Sequence, residues 1–291
     1  MRRPDPTGVD LHTHTTASDG TYTPEELVRE AAQRGLRVLA ITDHDSTEAI
    51  APALAAAREY APLEIVPGIE INTEAGGTEV HVLGYFVDHE ASWFRALLRE
   101  FREERAARIH RIAERLAALG CPVDPAEVLA LVREGSAGRP HVARVMVDRG
   151  YVATVKEAFD RYLGAGRPAY VSHRKVVPGE ACDLIHRAGG VTVLAHPNFN
   201  HASEGIVREL AAARRLDGIE SYYPEHAPAD TARFVGLCRE LDLVATGGSD
   251  FHGPIVRAAA LGLPAVPWAA YEELCRRAGR PASRGPGRFS A

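Results

Sequence analysis

Side chains that bind metal ions recur at the ends of apolar runs in this sequence. The run "VDLHTH" ends on His12 and His14, with Asp19 just beyond. "VLAITDHD" ends on Asp43, His44 and Asp45, and "EIVPGIEIN" carries Glu70. "EVHVLGYFV" carries His81, "VTVLAHP" ends on His196, and "DGIESYY" carries Glu220, with His226 shortly after. "LVATGGSD" ends on Asp250, and His252 follows. A lone strand-end histidine is ordinarily a satisfied structural residue, and Asp-His-Asp alone could cap a helix. The recurrence of such residues points instead to a shared metal site, because a buried cluster without an ion would be costly. Residues two apart on a strand face the same way, so His12 with His14, and Asp250 with His252, can grip one ion. Imidazole and carboxylate without thiolate suit Mn, Fe or Zn.

The apolar runs read as buried strands, and amphipathic stretches separate many of them. "TPEELVREAAQRG" has Thr23 as N-cap, Pro24 at the first helical position, acids in the first turn and Gly35 as the stop. "PGEACDLIHRAGG" repeats this grammar before the fifth strand. Strand–helix alternation predicts a parallel sheet or barrel, whose strand C-termini share one face where active sites are built. The alternation breaks over residues 91–169, which read as helix after helix, an insertion into an α/β domain. The expected organisation is a discontinuous barrel over 8–90 and 170–262, a helical cap over 91–169, and a helix with a floppy tail over 263–291.

Composition narrows the function classes. The chain has 291 residues, 45% hydrophobic and 25% charged, which suits a folded chain with a sizeable core. A net charge of −5 advertises no nucleic-acid field. Lys156 and Lys175 are the only lysines, a bias that carries no functional reading. Cys121, Cys182, Cys238 and Cys275 form no C-x-x-C pair and read as free thiols of a reducing cytosol. No apolar run approaches the roughly 20 residues of a membrane span, and the expected location is cytoplasmic. Nothing marks an obligate protein partner.

Taken together, "DLHTHTTASDG", "ITDHDS", "PGIEI", "HVLGY", "LAHP" and "GGSDFH" resemble the PHP (polymerase and histidinol phosphatase) family of metal-dependent phosphoesterases. The resemblance covers about residues 8–90 and 170–255. It implies an α/β fold, a distorted (βα)7 PHP barrel with an inserted helical cap domain, and two to three divalent ions. Carried over residue by residue, one ion would sit on His12, His14, Glu70 and Asp250. A second would share Glu70 and add His81 and His196. A third would use Asp19, His44 and His252. Asp43 and Asp45 are expected either to orient His44 or to cap the next helix.

Within the insertion, "GSAGRPHVARVMVDRGYV" and the following "YLGAGRPAYVSH" look like the subgroup of nucleoside 3′,5′-bisphosphate phosphatases and 5′→3′ exoribonucleases. Arg139 precedes Pro140 and a helix start, where a guanidinium beside free N–H groups makes a phosphate clamp. His141 is a candidate second donor and Arg167 a third candidate; a solvated arginine or a packing histidine is the plain alternative. One departure stands out: no arginine follows Pro197, where that subgroup has Gly-Arg-Tyr, and Asn198 and Asn200 offer only hydrogen bonds.

The expected substrate is a small phosphate ester or nucleotide, with short RNA as a further possibility. The implied chemistry is hydrolysis by a hydroxide bridging two ions on Glu70. Glu70, Asp250 and His226 are the expected catalytic residues, and either His226 or a metal-bound water would protonate the leaving oxygen. Histidinol-phosphate phosphatase is the rival within phosphoesterases, and an amidohydrolase-type C–N hydrolase is the rival outside them.

Overall fold

The computed structural model describes residues 8–132, 135–172, 176–197, 203–253, 259–283 and 285. Asn198, Asn200 and most of the C-terminal tail lie outside them. Among these described residues seven strands form one sheet in chain order: β1 (Val9–Asp10), β2 (Val38–Ile41), β3 (Glu64–Ala75), β4 (Thr78–Tyr85), β5 (Val191–Leu194), β6 (Gly218–Tyr222) and β7 (Val244–Gly247). Past the named strands the edges meet. Leu11 N donates to Gly247 O, His14 N donates to Phe251 O, and Thr13 bridges Phe251 in parallel, nearly closing a barrel.

The sheet is mixed rather than parallel. β1, β2 and β3 run parallel, as do β5, β6 and β7, but β4 is antiparallel to both neighbours. The cause is local. Gly76 and Gly77 both have positive φ, 58° and 78°, so the chain reverses in a tight hairpin with no helix between β3 and β4. Reversal brings the N-terminal half of β4 to the rim where the parallel strands end, and His81 pairs there with Asn72.

Alternate strand residues enter different cores, as the two-residue period requires. Val38 and Ala40 join Val9, Leu11, Val66 and Val193 in one cluster, packed on Tyr271, Leu274 and Cys275 of α10 (Trp268–Arg277). Leu39 and Ile41 face the other way, onto α1 (Pro24–Gln33), α2 (Ile50–Ala57), α7 (Pro178–Arg187) and α9 (Pro228–Leu241). α1 starts with the expected Thr23 cap, which forms a capping box with Glu26. α8 (Ser203–Ala212) completes that layer through Val207 and Leu210.

The helical stretch between β4 and β5 has its own core. It contains α3 (Ser92–Ala118), α4 (Pro125–Ala130), α5 (Arg139–Asp148), α6 (Val155–Ala158) and a π turn over Phe159–Leu163. Phe94 and Leu98 of α3 belong to the barrel core, whereas Ile109, Ile112 and Leu116 pack with Val142, Met146 and Leu163 in a separate cluster. α3 thus starts beside the barrel, near the C-terminal end of α7, where Asp88 N donates to Ala188 O. Its 27 residues carry the chain to the opposite rim.

Candidate metal centre

The strand ends converge on Glu70, which is fully buried at the middle of β3. Its Oε2 lies 3.2 Å from Nε2 of both His12 and His14, and 3.0 Å from His44 Nδ1. Its Oε1 lies 2.8 Å from His81 Nδ1 and 3.1 Å from His196 Nε2. Asp250 Oδ1 stands 3.4 Å from His12 Nε2 and 3.2 Å from His14 Nε2. On the other flank, Asp19 Oδ1 is 3.2 Å from His252 Nε2 and 3.8 Å from His44 Nε2. His14 stands between the two flanks, its Nδ1 3.8 Å from Asp19 Oδ1.

Among the described residues, four sets have ligand atoms close enough to share an ion: His14, Asp19, His44 and His252; His12, Glu70 and His196; His12, His14 and Asp250; and His44, Glu70 and His81. The structure therefore brings all nine residues expected as ligands into one cluster, but it divides them differently. His14 joins the Asp19 set, and His44 also reaches Glu70 and His81.

The cluster fits divalent ions on its own terms. Asp19 Oδ1, His44 Nδ1 and Glu70 Oε2 are buried without a hydrogen-bond partner, although Glu70 Oε2 has three imidazole nitrogens close by. Atoms that crowd one point without bonding each other mark a place for something between them. Ligands about 2.0–2.2 Å from one ion sit roughly 3.0–3.5 Å apart, and most of the spacings around Glu70 Oε2 and Asp250 fall there. Charge says the same. Burial alone would raise the carboxyl of Glu70, but His44, His12 and His81 outweigh it and hold it well below the usual carboxylate range. His252 and His44 do the same against burial at Asp19. Against its own burial, Asp250 and Glu70 push His14 up to about 10, and Glu70 pushes His81 to about 9. The carboxylates thus demand positive charge, which protons supply only by occupying the nitrogens that would bind metal.

Buried partners orient the imidazoles. Glu220 Oε1 lies 2.9 Å from His12 Nδ1, so the other nitrogen faces the cluster. Glu220 Oε2 accepts from His196 N at 2.8 Å, steadying a residue with φ 25°. Tyr223 OH donates to Asp250 Oδ2 at 2.9 Å. Asp43 neither orients His44 nor caps a helix. It accepts from Thr15 N, Thr15 Oγ1 and Ser18 Oγ, and so shapes the loop between His14 and Asp19. Asp45 accepts from Asn72 N and from Arg105, and α2 is preceded by Ala49 with no side-chain cap.

A cavity of about 460 Å³ opens beside the cluster. Asp19, His44, Glu70, His81, His196, Asp250 and His252 line one side, and Arg105, Arg108 and Arg139 of the helical insertion line the other. Arg139 is where the sequence placed it, at the start of α5, with Nη2 2.7 Å from Glu79 Oε2. Arg105 is bound to Asp45, its Nε at 2.7 Å and Nη2 at 2.6 Å. Arg108 donates to Val171 O, and its Nη2 is buried without a hydrogen-bond partner. Burial and the charges of Arg139 and Arg105 lower Arg108 to about 10.

Three expected residues sit elsewhere. His141 is 1% exposed and already engaged at both nitrogens: Nδ1 accepts from Gly138 N and Nε2 donates to Ser18 O, each at 3.0 Å. Burial lowers it to about 4, so it stays neutral and is no phosphate donor. Arg167 is exposed and does not line the cavity. His226 also stands outside the lining. Its Nδ1 faces Ser221 O at 3.0 Å, and its ring packs at a tilt between Tyr223 and Phe234. Arg105 and Arg108 were not singled out in the sequence, because α3 carries arginines on every face and spacing alone does not say which turn inward.

A nearly closed barrel with a rim of imidazoles and carboxylates around one central glutamate defines a metal-dependent hydrolase. The PHP domain profile matches residues 10–136. The 5′-3′ exoribonuclease Rnm of Escherichia coli is 37% identical over 84% of this chain and 85% of its own. The 3′,5′-nucleoside bisphosphate phosphatase of Chromobacterium violaceum is 33% identical over 84% of this chain and 87% of its own. A Bifidobacterium adolescentis structure assigned as a metal-dependent phosphoesterase superposes with a TM-score of 0.85 at 31% identity, covering 92% of this chain and 95% of that one. A C. violaceum structure described as an amidohydrolase with bound sulfate gives 0.79 at 33% identity, covering 86% and 89%. The chain belongs to the PHP domain family, and it is a metal-dependent phosphoesterase. Among the described residues no helix is long and apolar enough to cross a membrane.

Proposed function

We propose that the protein removes the 3′-phosphate of nucleoside 3′,5′-bisphosphates, hydrolyses short RNA from its 5′ end, or does both. The observation that carries this reading is Arg108, a buried guanidinium with an unpartnered nitrogen, facing the Glu70 cluster across the cavity. A substrate with two phosphates answers both sides: one at the cluster, one on the arginines. The cavity volume suits a nucleotide. The named activities of the E. coli and C. violaceum relatives point the same way.

We assign His12, His14, Asp250 and Glu70 Oε2 to one ion, and His81, His196 and Glu70 Oε1 to a second. Asp19, His44 and His252, with His14 beside them, would hold a third; the donor set accepts Mn, Fe or Zn. Bound ions would supply a nucleophilic water near neutral pH and neutralise charge on the phosphoryl oxygens. The chain's own part is positional. Glu220 fixes the tautomer of His12 and Tyr223 fixes Asp250, while Arg108 and Arg139 hold the second phosphate so that the first meets the cluster in one orientation. The four cysteines, free and buried, suit a cytoplasmic enzyme.

The test is phosphate and mononucleotide release by Mn2+-loaded protein from adenosine 3′,5′-bisphosphate, AMP, a short 5′-phosphorylated RNA and histidinol phosphate, with Asp250→Ala as control. Turnover of the bisphosphate or the RNA, weak turnover of AMP, and loss in the control are expected. Preference for histidinol phosphate or AMP would overturn the two-phosphate reading.

A further inference from the structure

Three consecutive backbone carbonyls of the loop that carries Asp19 are taken by one short stretch of the helical insertion. Ser136 N donates to Ala17 O at 2.9 Å. His141 Nε2 donates to Ser18 O at 3.0 Å. Arg144 Nη2 donates to Asp19 O. Gly135 completes the fit: a Cβ there would lie 1.8 Å from Ala17 O, so no side chain is tolerated at this approach. The stretch is the "GSAGRPHVAR" segment, and its histidine and second arginine, whose residue types suggest phosphate binding, are spent on protein contacts instead.

The loop needs such support. It leaves β1 after His14, turns through residues 15–20 without regular structure and returns at Thr21, where N donates to His252 O. Asp43 holds the first half through Thr15 and Ser18. The contacts from Ser136, His141 and Arg144 fall on the half that ends in Asp19. Asp19 Oδ1 must then point at His252 and His44 from a backbone whose carbonyls face the other way, into the insertion.

We infer that His141 and Arg144 are positioning residues that set Asp19 for its ion, so that the helical insertion is a structural part of the Asp19, His44 and His252 site. The inference rests on the assignment of that site to a metal. It makes the insertion more than a cover: without these clamps the Glu70 ions stay and the Asp19 ion loosens. His141 acts through Ser18 and Arg144 through the Asp19 backbone; neither touches the ion.

The experiment is Mn2+ titration of metal-stripped, full-length protein, reading stoichiometry and each dissociation constant, with thermal unfolding as the check on folding. His141→Asn keeps an acceptor for Gly138 N but is too short to reach Ser18 O. Arg144→Gln keeps the stem and loses the guanidinium. Each should weaken the ion that Asp19→Ala removes at least tenfold and leave the others unchanged. Arg149→Ala, at an exposed pair with Glu127 at the C-terminal end of α5, should change nothing. Asp19→Ala tests the underlying assignment and should remove that ion altogether. If Asp19→Ala removes it while folded His141→Asn and Arg144→Gln bind like the parent, the positioning role is wrong. If Asp19→Ala leaves every ion in place, the site assignment itself is wrong. Should either polar variant fail to fold, Arg144→Met, which keeps the stem and cannot donate to Asp19 O, supplies the comparison, and unchanged binding in it counts against the inference.

Discussion

His12 Nδ1 and Glu220 Oε1 meet at 2.9 Å, with both side chains completely buried. Coulombic attraction from Glu220, Asp250 and Glu70 overcomes burial and raises His12 well above its ordinary value. The same carboxylate also holds the His196 amide, so one β6 side chain orients two cluster histidines from two other strands. Glu220→Ala should cost about 10–100-fold in metal affinity, the usual loss when an imidazole loses its outer partner. Glu220→Gln, which keeps the shape, should fall between. Equal Mn2+ binding in all three proteins would show that the pair does not tune the site.

Arg108 should matter for the second phosphate and not for the first. Losing a hydrogen bond to a charged group costs about 1.5–3 kcal/mol, roughly 10–100-fold in binding. Arg108→Ala should therefore raise KM for adenosine 3′,5′-bisphosphate by that factor and leave KM for AMP nearly unchanged. A parallel rise for both substrates would place Arg108 in general support of the cavity.

The insertion and the barrel share a buried ion pair, Arg105 with Asp45, their side chains 7% and 5% exposed. Breaking such a pair by removing one partner strands the other charge and costs about 3–5 kcal/mol. Arg105→Ala should lower the urea midpoint accordingly, and Asp45→Asn with Arg105→Ala should be less destabilising than the sum of the single changes. Additive losses in this double-mutant cycle would mean the two residues act separately.

Far from the cavity, His186 Nε2 lies 2.7 Å from Asp217 Oδ2, tying α7 to the start of β6. The bond to Asp217 raises His186 above 6.5, its ordinary value. At Asp217, burial opposes and the bond to His186 wins, lowering it below 3.8. A raised histidine contributes stability that is full below 6.5 and lost as pH rises through its folded value. A lowered carboxylate contributes stability that is full above 3.8 and lost as pH falls through its folded value. The difference in Tm between the parent and Asp217→Asn should therefore be widest between about pH 4 and 6.5 and shrink on both sides. A difference that does not change with pH would remove the charge from this contact.

The cluster was legible because ligand-type residues recur in and just past the apolar strands, a recurrence that one structural histidine or one helix cap does not produce. The barrel was legible from the alternation of apolar runs with amphipathic stretches, but the direction of β4 was not read, although Gly76 and Gly77 form a hairpin signal. His141 misled because a histidine beside a helix N-terminus fits an anion site as well as a tether. Only the positions of Gly138 and Ser18 decide between them. Glu220 was visible as a strand-end carboxylate, yet whether it binds an ion or a histidine depends on a distance set across strands. Arg105 and Arg108 required the rotation of α3, which is fixed by how Phe94 and Leu98 seat in the barrel core.

That seating makes α3 a ruler. Because β4 runs backwards, the chain leaves the barrel at the rim away from the cavity, and the helix spans the return at about 1.5 Å per residue. Phe94 and Leu98 set its zero point, and Arg105 and Arg108 are marks read off further along. One residue added between Leu98 and Arg105 would turn those marks by about 100° and swing them out of the cavity. Length changes in this stretch should therefore be tolerated only in steps of about seven residues, which restore the phase but lengthen the reach by about 10 Å. On the proposed reading of the substrate, the distance between its two phosphates is in this sense written into the number of residues between a phenylalanine and an arginine.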